Sequence, residues 1–325
     1  MMSRKLKIAV TDYWNTDLDQ NYLYSLLKPH YDFELSDSPD ILFFSVFGND
    51  HLKYDCLKIQ CIGENIRPNF HLCDYAFSFD ETDTRNFQLP LFMMYPFFGE
   101  MRSGDYGLEV QSWRDTPKSS FCNFIFQNGR ARERIHFCQQ LMKYKWVDCP
   151  GEILNNRPSF DGDGDKWMEK LSFMKDYKFT VAFENASSVN YTTEKIFHAL
   201  LVGSIPIYWG NPEVSTYFNP ASFINCHDYS SFDDVIARVK EIDNNPELYH
   251  QYVSAPPLLP TSRCHSITEE AIVDRFDSIV QNLQLASPVS RTFAYKFTSL
   301  SIQIDACLRK TKRRCQAFVV RKIFN

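Results

Sequence analysis

The chain has 325 residues, of which 44% are hydrophobic and 15% aromatic, and its formal net charge is −5. This length and composition favour a globular protein of one large or, better, two medium domains. The charge is uneven, because residues 291–325 hold nine Lys or Arg and one acid, a net of +8 that leaves −13 for the rest. This distribution excludes a nucleic-acid binder that is basic throughout. A basic tail suggests an anionic surface as the partner of the tail alone.

The sequence shows no export or membrane-spanning signal. No segment approaches the roughly 18 uninterrupted apolar residues of a membrane span, and the N-terminus passes into an apolar strand without a signal-peptide core. The ten cysteines include no C-x-x-C pair. A zinc site is therefore not favoured, and we expect reduced, structural thiols in a cytoplasmic protein.

The N-terminal part has the pattern of a parallel α/β sheet. Leu23, Leu26 and Leu27 fit one face of a short helix, and apolar runs of strand length cover residues 5–10, 40–47, 57–62 and 75–79. Strands that alternate with helices or long connections are typical of parallel sheets. Residues 82–117 lack clear periodicity, so we predict loops and a linker there.

A second α/β pattern begins at residue 120. We predict strands over 120–126, 179–183 and 204–209, and helices over 130–143, 167–174, 193–203 and 232–242 and from 246 and 268 onward. The polar segment 184–191 joins a buried strand to a helix N-terminus. Open α/β sheets bind ligands at such a point, and a helix N-terminus favours anions. We therefore predict an anion site over the helical turn that begins at Thr193.

Three motifs together resemble the bacterial α1,3-fucosyltransferase family, in particular the Helicobacter-type Lewis-antigen enzymes. FEN…YTTEKI…GSIPIYWGNP (183–212) resembles its donor-binding fingerprint, GEN..PNF…CDYAFSFD (63–80) its acceptor-side motif, and residues 121–141 also fit. The resemblance covers most of residues 5–255. It implies an α/β fold of GT-B type, with two Rossmann-like domains facing a cleft. We predict an acceptor-binding domain over 1–117, a GDP-fucose-binding domain over 118–290 and a tail over 291–325.

The resemblance also implies roles for individual residues. An inverting displacement needs a general base for the acceptor hydroxyl, positive charge for the departing diphosphate and contacts that hold the sugar. Glu64 would be the base, unless it is a solvated loop carboxylate. Arg134 and Lys195 would bind the diphosphate, although Arg130 and Arg132 lie near enough to be confused with Arg134. The remaining donor contacts would be Asn185, Tyr191, Glu194 and Glu184.

On the acceptor side, the resemblance implies contacts from Asp12, Trp14 and Asn65. Trp14 could stack on a sugar face or pack in the core at a strand end. One departure concerns Ile66, because close relatives often carry a second acid at that position. If that acid were the base, this chain would lack it, which leaves a non-catalytic sugar-binding protein as an alternative.

No metal site is predicted. Residues 161–165 (DGDGD) resemble the start of a calcium loop and a D-x-D motif, but Lys166 replaces the glycine that a calcium loop requires. We expect a solvated turn. The mechanism requires no cofactor, because Arg and Lys supply the positive charge, and it leaves open whether a divalent cation stimulates product release. His198 is expected to be a packed histidine.

The predicted reaction is transfer of L-fucose from GDP-fucose to O3 of N-acetylglucosamine in N-acetyllactosamine-type glycans, giving a Lewis x-like product in lipopolysaccharide or surface glycan synthesis. Transfer from another nucleotide sugar is the alternative among enzymes. From about residue 300 the tail can be drawn as an amphipathic helix. Such a helix could lie on the anionic inner face of a membrane or dock on its own protein, and amphipathicity does not separate the two.

Overall fold

The computed structural model describes residues 5–15, 17–159, 166–283 and 287–323. The chain forms two compact units, the first comprising residues 1–78, 82–87 and 269–325 and the second 79–81 and 88–268. This division differs from the predicted boundaries after residues 117 and 290. Residues 88–117 belong to the second unit, because two helices within them pack there, and the last two helices belong to the first.

The first unit is built on a six-stranded sheet with the strand order β2-β1-β3-β4-β5-β6. Helix α1 (Tyr22–Leu27) follows the first strand. The strands are β1 (Lys5–Thr11), β2 (Asp32–Leu35), β3 (Ile41–Phe44), β4 (Leu57–Cys61), β5 (Tyr75–Ser78) and β6 (Asn86–Gln88). The pairs from β2 to β5 are parallel. Every residue of β3 and β4 is buried, which explains the continuous apolar run of β3; β4 buries the polar residues Lys58 and Gln60 as well.

The second unit begins with two helices in the region predicted to be loops, α2 (Phe98–Ser103) and α3 (Leu108–Arg114). That prediction is wrong because both helices are too short for a clear repeat. Phe97, in the left-handed region at φ 66°, precedes α2. Beyond them, the helices of this unit are α4 (Arg132–Leu141), α5 (Lys166–Met174), α6 (Glu194–Leu201), α7 (Phe232–Asn244) and α8 (Pro246–Ser254).

The sheet of the second unit is parallel and has the strand order β11-β10-β9-β7-β8. Its strands are β7 (Ser120–Asn123), β8 (Val147–Asp148), β9 (Tyr177–Phe183), β10 (Ile205–Trp209) and β11 (Ile224–Asn225). Counted from β7, this is the order 2-1-3-4-5, and the first unit has the same order with one strand added. In such sheets ligands bind where the strand order reverses, which here is between β7 and β9, and in the first unit between β1 and β3.

The last two helices, α9 (Glu269–Asn282) and α10 (Phe293–Ile323), complete the first unit. Phe276 of α9 is buried against the rings of Tyr31, Phe33 and Phe43, with centroid distances of 4.9, 6.2 and 5.7 Å. The start of α10 is anchored by the buried Tyr295, and large apolar side chains are exposed along it at Phe293, Phe297, Leu300, Ile304 and Leu308. Among the described helices, none is both long and apolar enough to cross a membrane.

Candidate active site

The second unit contains a cavity of about 600 Å³ at the switch point of its sheet. The segment after β7 lines it with residues 125–128, and Asn185 lines it directly after β9. Three helices contribute charged side chains to the wall: Arg134 from α4, Lys170 from α5, and Glu194 and Lys195 from α6. Parallel strands end at the same edge of a sheet, so the fold itself gathers these side chains around one space.

Arg134 is fully buried, and its guanidinium lies 4.2 Å from the centre of the Phe126 ring. Its Nη1 donates a hydrogen bond to Oδ1 of Asn185 at 3.0 Å, and its Nη2 donates to the carbonyl of Asn128. Both acceptors are uncharged, so the positive charge of Arg134 is not neutralised by them. Arg130 and Arg132 are exposed. Of the three arginines, Arg134 is therefore the one that this site can use.

A buried network fixes Lys195. Its Nζ donates to Oε2 of Glu184 at 3.1 Å and to the hydroxyl of Thr193 at 2.7 Å. The backbone N–H of Thr193 donates to Oε1 of Glu184 at 2.7 Å, and the Thr193 hydroxyl donates to Oε2 at 2.8 Å. The N-terminus of α6 thus already holds an anion, the carboxylate of Glu184. A diphosphate predicted over this turn would meet Lys195 and not the N–H of Thr193.

Charge coupling in this network sets the protonation states. Burial alone would lower the pKa of Lys195, but Glu184 and Glu194 outweigh it, so the pKa is raised and the amine stays charged. Burial raises the pKa of Glu184, and Lys195 opposes this shift. Burial would also raise the pKa of Glu194, but Lys195 and Lys170 lower it to about 2. Glu194, with Oε1 3.6 Å from Lys195 Nζ, is therefore ionised at neutral pH.

The remaining donor-side predictions separate into two groups. Asn185 and Glu194 line the cavity, as predicted contacts should. Tyr191 and Glu184 are buried and do not appear in the part of the cavity wall that the structure describes. The Tyr191 ring packs edge-on against Phe79, with centroids 5.4 Å apart. Glu184 is hydrogen-bonded to Lys195 instead, a contact that its position one residue before Asn185 in the sequence does not reveal.

Sequence reasoning missed Lys170 and the environment of His198. Both line the cavity, and Lys170 Nζ lies 3.3 Å from His198 Nδ1. His198 is packed, as expected, but it also belongs to the wall. The signal available in the sequence was a lysine in the middle of the helix that precedes β9, and nothing in its spacing linked it to α6.

In the first unit, Glu64 and Asn65 lie in the loop after β4. Both are half-buried, and the next residue, Ile66, is 49% exposed. Within the described part of the chain, no hydrogen bond to the Glu64 carboxylate is present; the carbonyl of Glu64 accepts one from Ile66 N–H at 2.7 Å. The carboxylate is thus accessible and uncommitted, and its role as base stays a prediction.

The switch point of the first unit carries two exposed aromatic side chains. Trp14, after β1, is 85% exposed, and Phe47, after β3, is 47% exposed. Their ring centroids are 5.6 Å apart and the ring planes are inclined at 67°, an edge-to-face contact. Trp14 is therefore not a core residue, and the alternative of core packing is wrong. Since β1, β3 and β4 are neighbours in this order, Trp14, Phe47 and Glu64 follow the carboxyl ends of three adjacent strands.

Asp12 holds the two loops of this pair together. It lies in the left-handed region at φ 61°. Its carboxylate accepts hydrogen bonds from the N–H groups of Asp50 and His51 at 2.9 Å and from Nδ1 of His51 at 2.7 Å. Its carbonyl accepts from Phe47 N–H at 3.0 Å. A Cβ on Gly48 would lie 2.2 Å from Oδ1 of Asp12. The carboxylate is thus used inside the protein, so Asp12 can serve an acceptor only by positioning these loops.

Among the described residues, no group of three or more His, Cys, Asp or Glu side chains could hold a metal ion. Residues 161–165, for which we predicted a solvated turn, lie outside the described residues.

The chain has two Rossmann-like units with parallel sheets, and the second unit has a cation-lined cavity at the switch point of its sheet. These features define a GT-B type chain. A model for the alpha-(1,3)-fucosyltransferase FucT N-terminal domain matches residues 8–95, and the model for glycosyltransferase family 10 (fucosyltransferase), C-terminal part, matches residues 115–293. The chain belongs to glycosyltransferase family 10, the fucosyltransferases. This confirms the family predicted from the motifs.

The relatives and solved structures agree with this assignment. Alpha-(1,3)-fucosyltransferase FucT of Helicobacter pylori is 31% identical over 294 residues, which cover 78% of this chain and 60% of the relative. GDP-fucose protein O-fucosyltransferase 3 of Xenopus tropicalis is 28% identical, over 71% of this chain and 54% of the relative. A crystal structure of an α1,3-fucosyltransferase with GDP-fucose superposes with a TM-score of 0.73 at 26% identity, covering 87% of this chain and 92% of that one. The chain thus spans 60% of the Helicobacter protein's length.

Proposed function

We propose that this chain transfers L-fucose from GDP-fucose to O3 of N-acetylglucosamine in N-acetyllactosamine-type glycans. The observation that carries the donor half of this proposal is the cavity at the switch point between β7 and β9, which three cations line. A diphosphate is the anionic part of a nucleotide sugar, and three cations on helices at such a point suit it. Membership of the fucosyltransferase family supports fucose as the sugar.

In the proposed reaction, the acceptor hydroxyl oxygen attacks the anomeric carbon of fucose while the bond from that carbon to the β-phosphate oxygen breaks. The electron pair of the broken bond leaves with GDP, and the hydroxyl proton passes to Glu64. Arg134 and Lys195 offset the charge that develops on the departing phosphate. Glu194, which is ionised, is suited to accept hydrogen bonds from hydroxyl groups of the donor. No step needs a metal ion, and a divalent cation would act only on product release.

The acceptor half rests on the first unit. Aromatic rings bind the apolar faces of sugars, and the exposed pair Trp14 and Phe47 lies at the switch point, two strands from the loop of Glu64. We propose that this pair stacks on a sugar ring of the acceptor while Asn65 contacts its hydroxyls. An α1,3-linked fucose on this acceptor class would give a Lewis x-like product, and we propose lipopolysaccharide or another surface glycan as its place.

The tail is proposed to bring the enzyme to its acceptor at the inner face of a membrane. The apolar side chains of Phe293, Phe297, Leu300, Ile304 and Leu308 recur every three or four residues and are exposed. The positions after them hold most of the nine basic residues of the tail. Apolar and basic residues on one helix are what an anionic membrane surface binds.

Incubation with GDP-fucose and N-acetyllactosamine, followed by linkage analysis, tests the proposal. We expect an α1,3-linked product, with Glu64→Gln slowing turnover about 10²-fold or more. One relative is a GDP-fucose protein O-fucosyltransferase, which makes protein the competing acceptor class. Unmodified peptides should therefore be assayed in parallel, and fucose on a peptide alone would overturn the glycan acceptor. Absence of transfer from GDP-fucose, with transfer from another nucleotide sugar, would overturn the donor.

A further inference from the structure

Lys170 of α5 and His198 of α6 form a pair in the cavity wall. Lys170 Nζ lies 3.3 Å from Nδ1 of His198. An ammonium group can only donate, so Nδ1 must accept this hydrogen bond, and the imidazole carries its proton on Nε2. Burial and the charge of Lys170 lower the pKa of His198 well below its ordinary value. His198 is therefore a neutral acceptor for the ammonium of Lys170.

The imidazole of His198 is held in place by aromatic neighbours. Its ring stacks on Trp167, with centroids 6.1 Å apart, and meets the edge of Tyr95 at 5.1 Å. Only 1% of the residue is exposed. A fixed ring presents Nδ1 in one direction, so it restricts where the flexible Lys170 side chain can place its charge.

The three cations of the cavity differ in what neutralises them. Lys195 already has two carboxylates nearby, with Glu184 at 3.1 Å and Glu194 at 3.6 Å. Arg134 bonds an amide and a carbonyl. Lys170 bonds an imidazole. Burial lowers the pKa of Lys170 and the charge of Glu194 opposes that shift, but the described residues include no ion pair for this lysine. The positive charge available to an incoming anion is therefore that of Arg134 and Lys170 more than that of Lys195.

We propose that Lys170 is a third contact to the diphosphate of the nucleotide-sugar donor and that His198 is its positioning residue. This inference rests on the proposed function, since it needs a nucleotide diphosphate in the cavity. Two N–H groups of the ammonium remain after the bond to His198, enough to reach phosphate oxygens. The contact strengthens as charge develops on the leaving group, so its loss should lower both GDP affinity and the rate of transfer.

Calorimetric titration and competition with GDP and guanosine test the role of Lys170 without any acceptor. In Lys170→Met, we expect GDP to bind about 10-fold or more weakly while guanosine is unchanged, because only the phosphate contact is lost. Lys170→Arg should recover most of the GDP affinity. Lys143→Met, which removes an exposed lysine, is the matched control. Equal weakening of GDP and guanosine, or no weakening, would overturn the inference. A wild-type protein that binds no GDP would instead overturn the proposed function.

The positioning role of His198 is tested by non-additivity. His198→Asn keeps an uncharged hydrogen-bond acceptor and should retain GDP affinity within about 3-fold. His198→Leu should instead weaken GDP binding nearly as much as Lys170→Met does. The double variant with His198→Leu and Lys170→Met should bind GDP no more weakly than Lys170→Met alone. Thermal midpoints of all variants report whether they fold. Additive losses in folded variants would contradict a positioning role.

Discussion

The carboxylate of Glu184 lies 3.1 Å from the ammonium of Lys195, and the Glu184 side chain has no exposed surface. The same carboxylate accepts the N–H of Thr193 at the start of α6. One buried acid therefore anchors both a helix end and the lysine that the motif assigns to the diphosphate. Asn185, the next residue in the chain, and Glu194, the first residue of α6, line the cavity instead.

Removal of Lys195 should damage activity and stability together. For Lys195→Ala we expect transfer to slow about 10²-fold or more, because the leaving group loses a cation. The free energy of unfolding should fall by about 3–5 kcal/mol, because the buried carboxylate of Glu184 is left without its cationic partner. The double variant Glu184→Gln with Lys195→Met removes both charges, so it should recover stability and remain slow. Turnover near wild type in Lys195→Ala would remove this lysine from the mechanism.

The hydrogen bonds of Asp12 to the loop of Asp50 and His51, which we call the Asp12 loop clamp, predict an effect on acceptor binding alone. Asp12→Ala removes three hydrogen bonds to the loop of Asp50 and His51. We expect the free energy of unfolding to fall by about 1–3 kcal/mol and the acceptor KM to rise, with GDP affinity unchanged. Steady-state kinetics with each substrate varied in turn measures this. A rise of the same size in the KM for GDP-fucose would contradict an effect confined to the acceptor.

Gly48 offers a partner test of that clamp. Gly48→Ala should destabilise the wild-type chain, since its Cβ would lie 2.2 Å from Oδ1 of Asp12, and should be tolerated in the Asp12→Ala background. Gly99→Ala is the matched control, because a Cβ there meets nothing within 4 Å. Chemical denaturation of the four proteins gives the coupling, and equal effects of Gly48→Ala in both backgrounds would argue against the contact.

The exposed aromatic pair predicts a loss of acceptor binding when either ring is removed. Trp14→Ala and Phe47→Ala should each raise the acceptor KM about 10-fold, with little change in folding because both rings are exposed. Phe293→Ala removes a ring that is 84% exposed on α10 and serves as the control. Kinetics with N-acetyllactosamine at saturating GDP-fucose gives the comparison. An unchanged acceptor KM in both variants would contradict acceptor binding by Trp14 and Phe47.

Asp148 predicts a pH dependence of stability. Burial would raise the pKa of Asp148, but hydrogen bonds from Arg157, Tyr177 and Trp146 outweigh it and lower the pKa. The carboxylate accepts from Arg157 at 2.8 and 2.9 Å and from the Tyr177 hydroxyl at 2.7 Å. Because the folded pKa is below the unfolded value of about 3.9, this stabilisation is complete above that value and is lost as pH falls through the folded pKa.

The measurement is denaturation at a series of pH values from 7 to 2. Asp148→Asn should be less stable than wild type at pH 7 by about 1–3 kcal/mol. The difference should shrink as the wild-type carboxylate becomes protonated in the acid range. A difference that stays constant from neutral pH to the most acid point would mean that the charge of Asp148 contributes nothing.

The sequence was sufficient for most of the sheet framework and for the family. Several of the strands that it predicted are buried on both faces, so their apolar runs stand out, as at Ile41–Phe44. It missed Asp32–Leu35, where two of the four residues are half-buried and two exposed, so no apolar run marks the strand. It also missed α3, where Leu108 is 94% exposed and breaks any helical pattern.

The sequence identified cavity-lining residues where they fall within one motif and missed them where tertiary contacts bring them together, and the roles of all of them stay predictions. Asn185, Glu194 and Lys195 fall within one motif, and all three line the cavity. Lys170 comes from a different helix and meets His198 across 28 positions of chain. The use of Asp12 was also hidden, because its partners, Asp50 and His51, lie in another loop.

Glu184 accepts the backbone N–H of Thr193, the N-cap residue of α6, so the protein's own carboxylate occupies the start of this helix. That N–H is then not available to a phosphate oxygen. In the proposed reaction, release of GDP would therefore depend on breaking contacts with the side chains of Arg134, Lys170 and Lys195, and not with the backbone at this helix end.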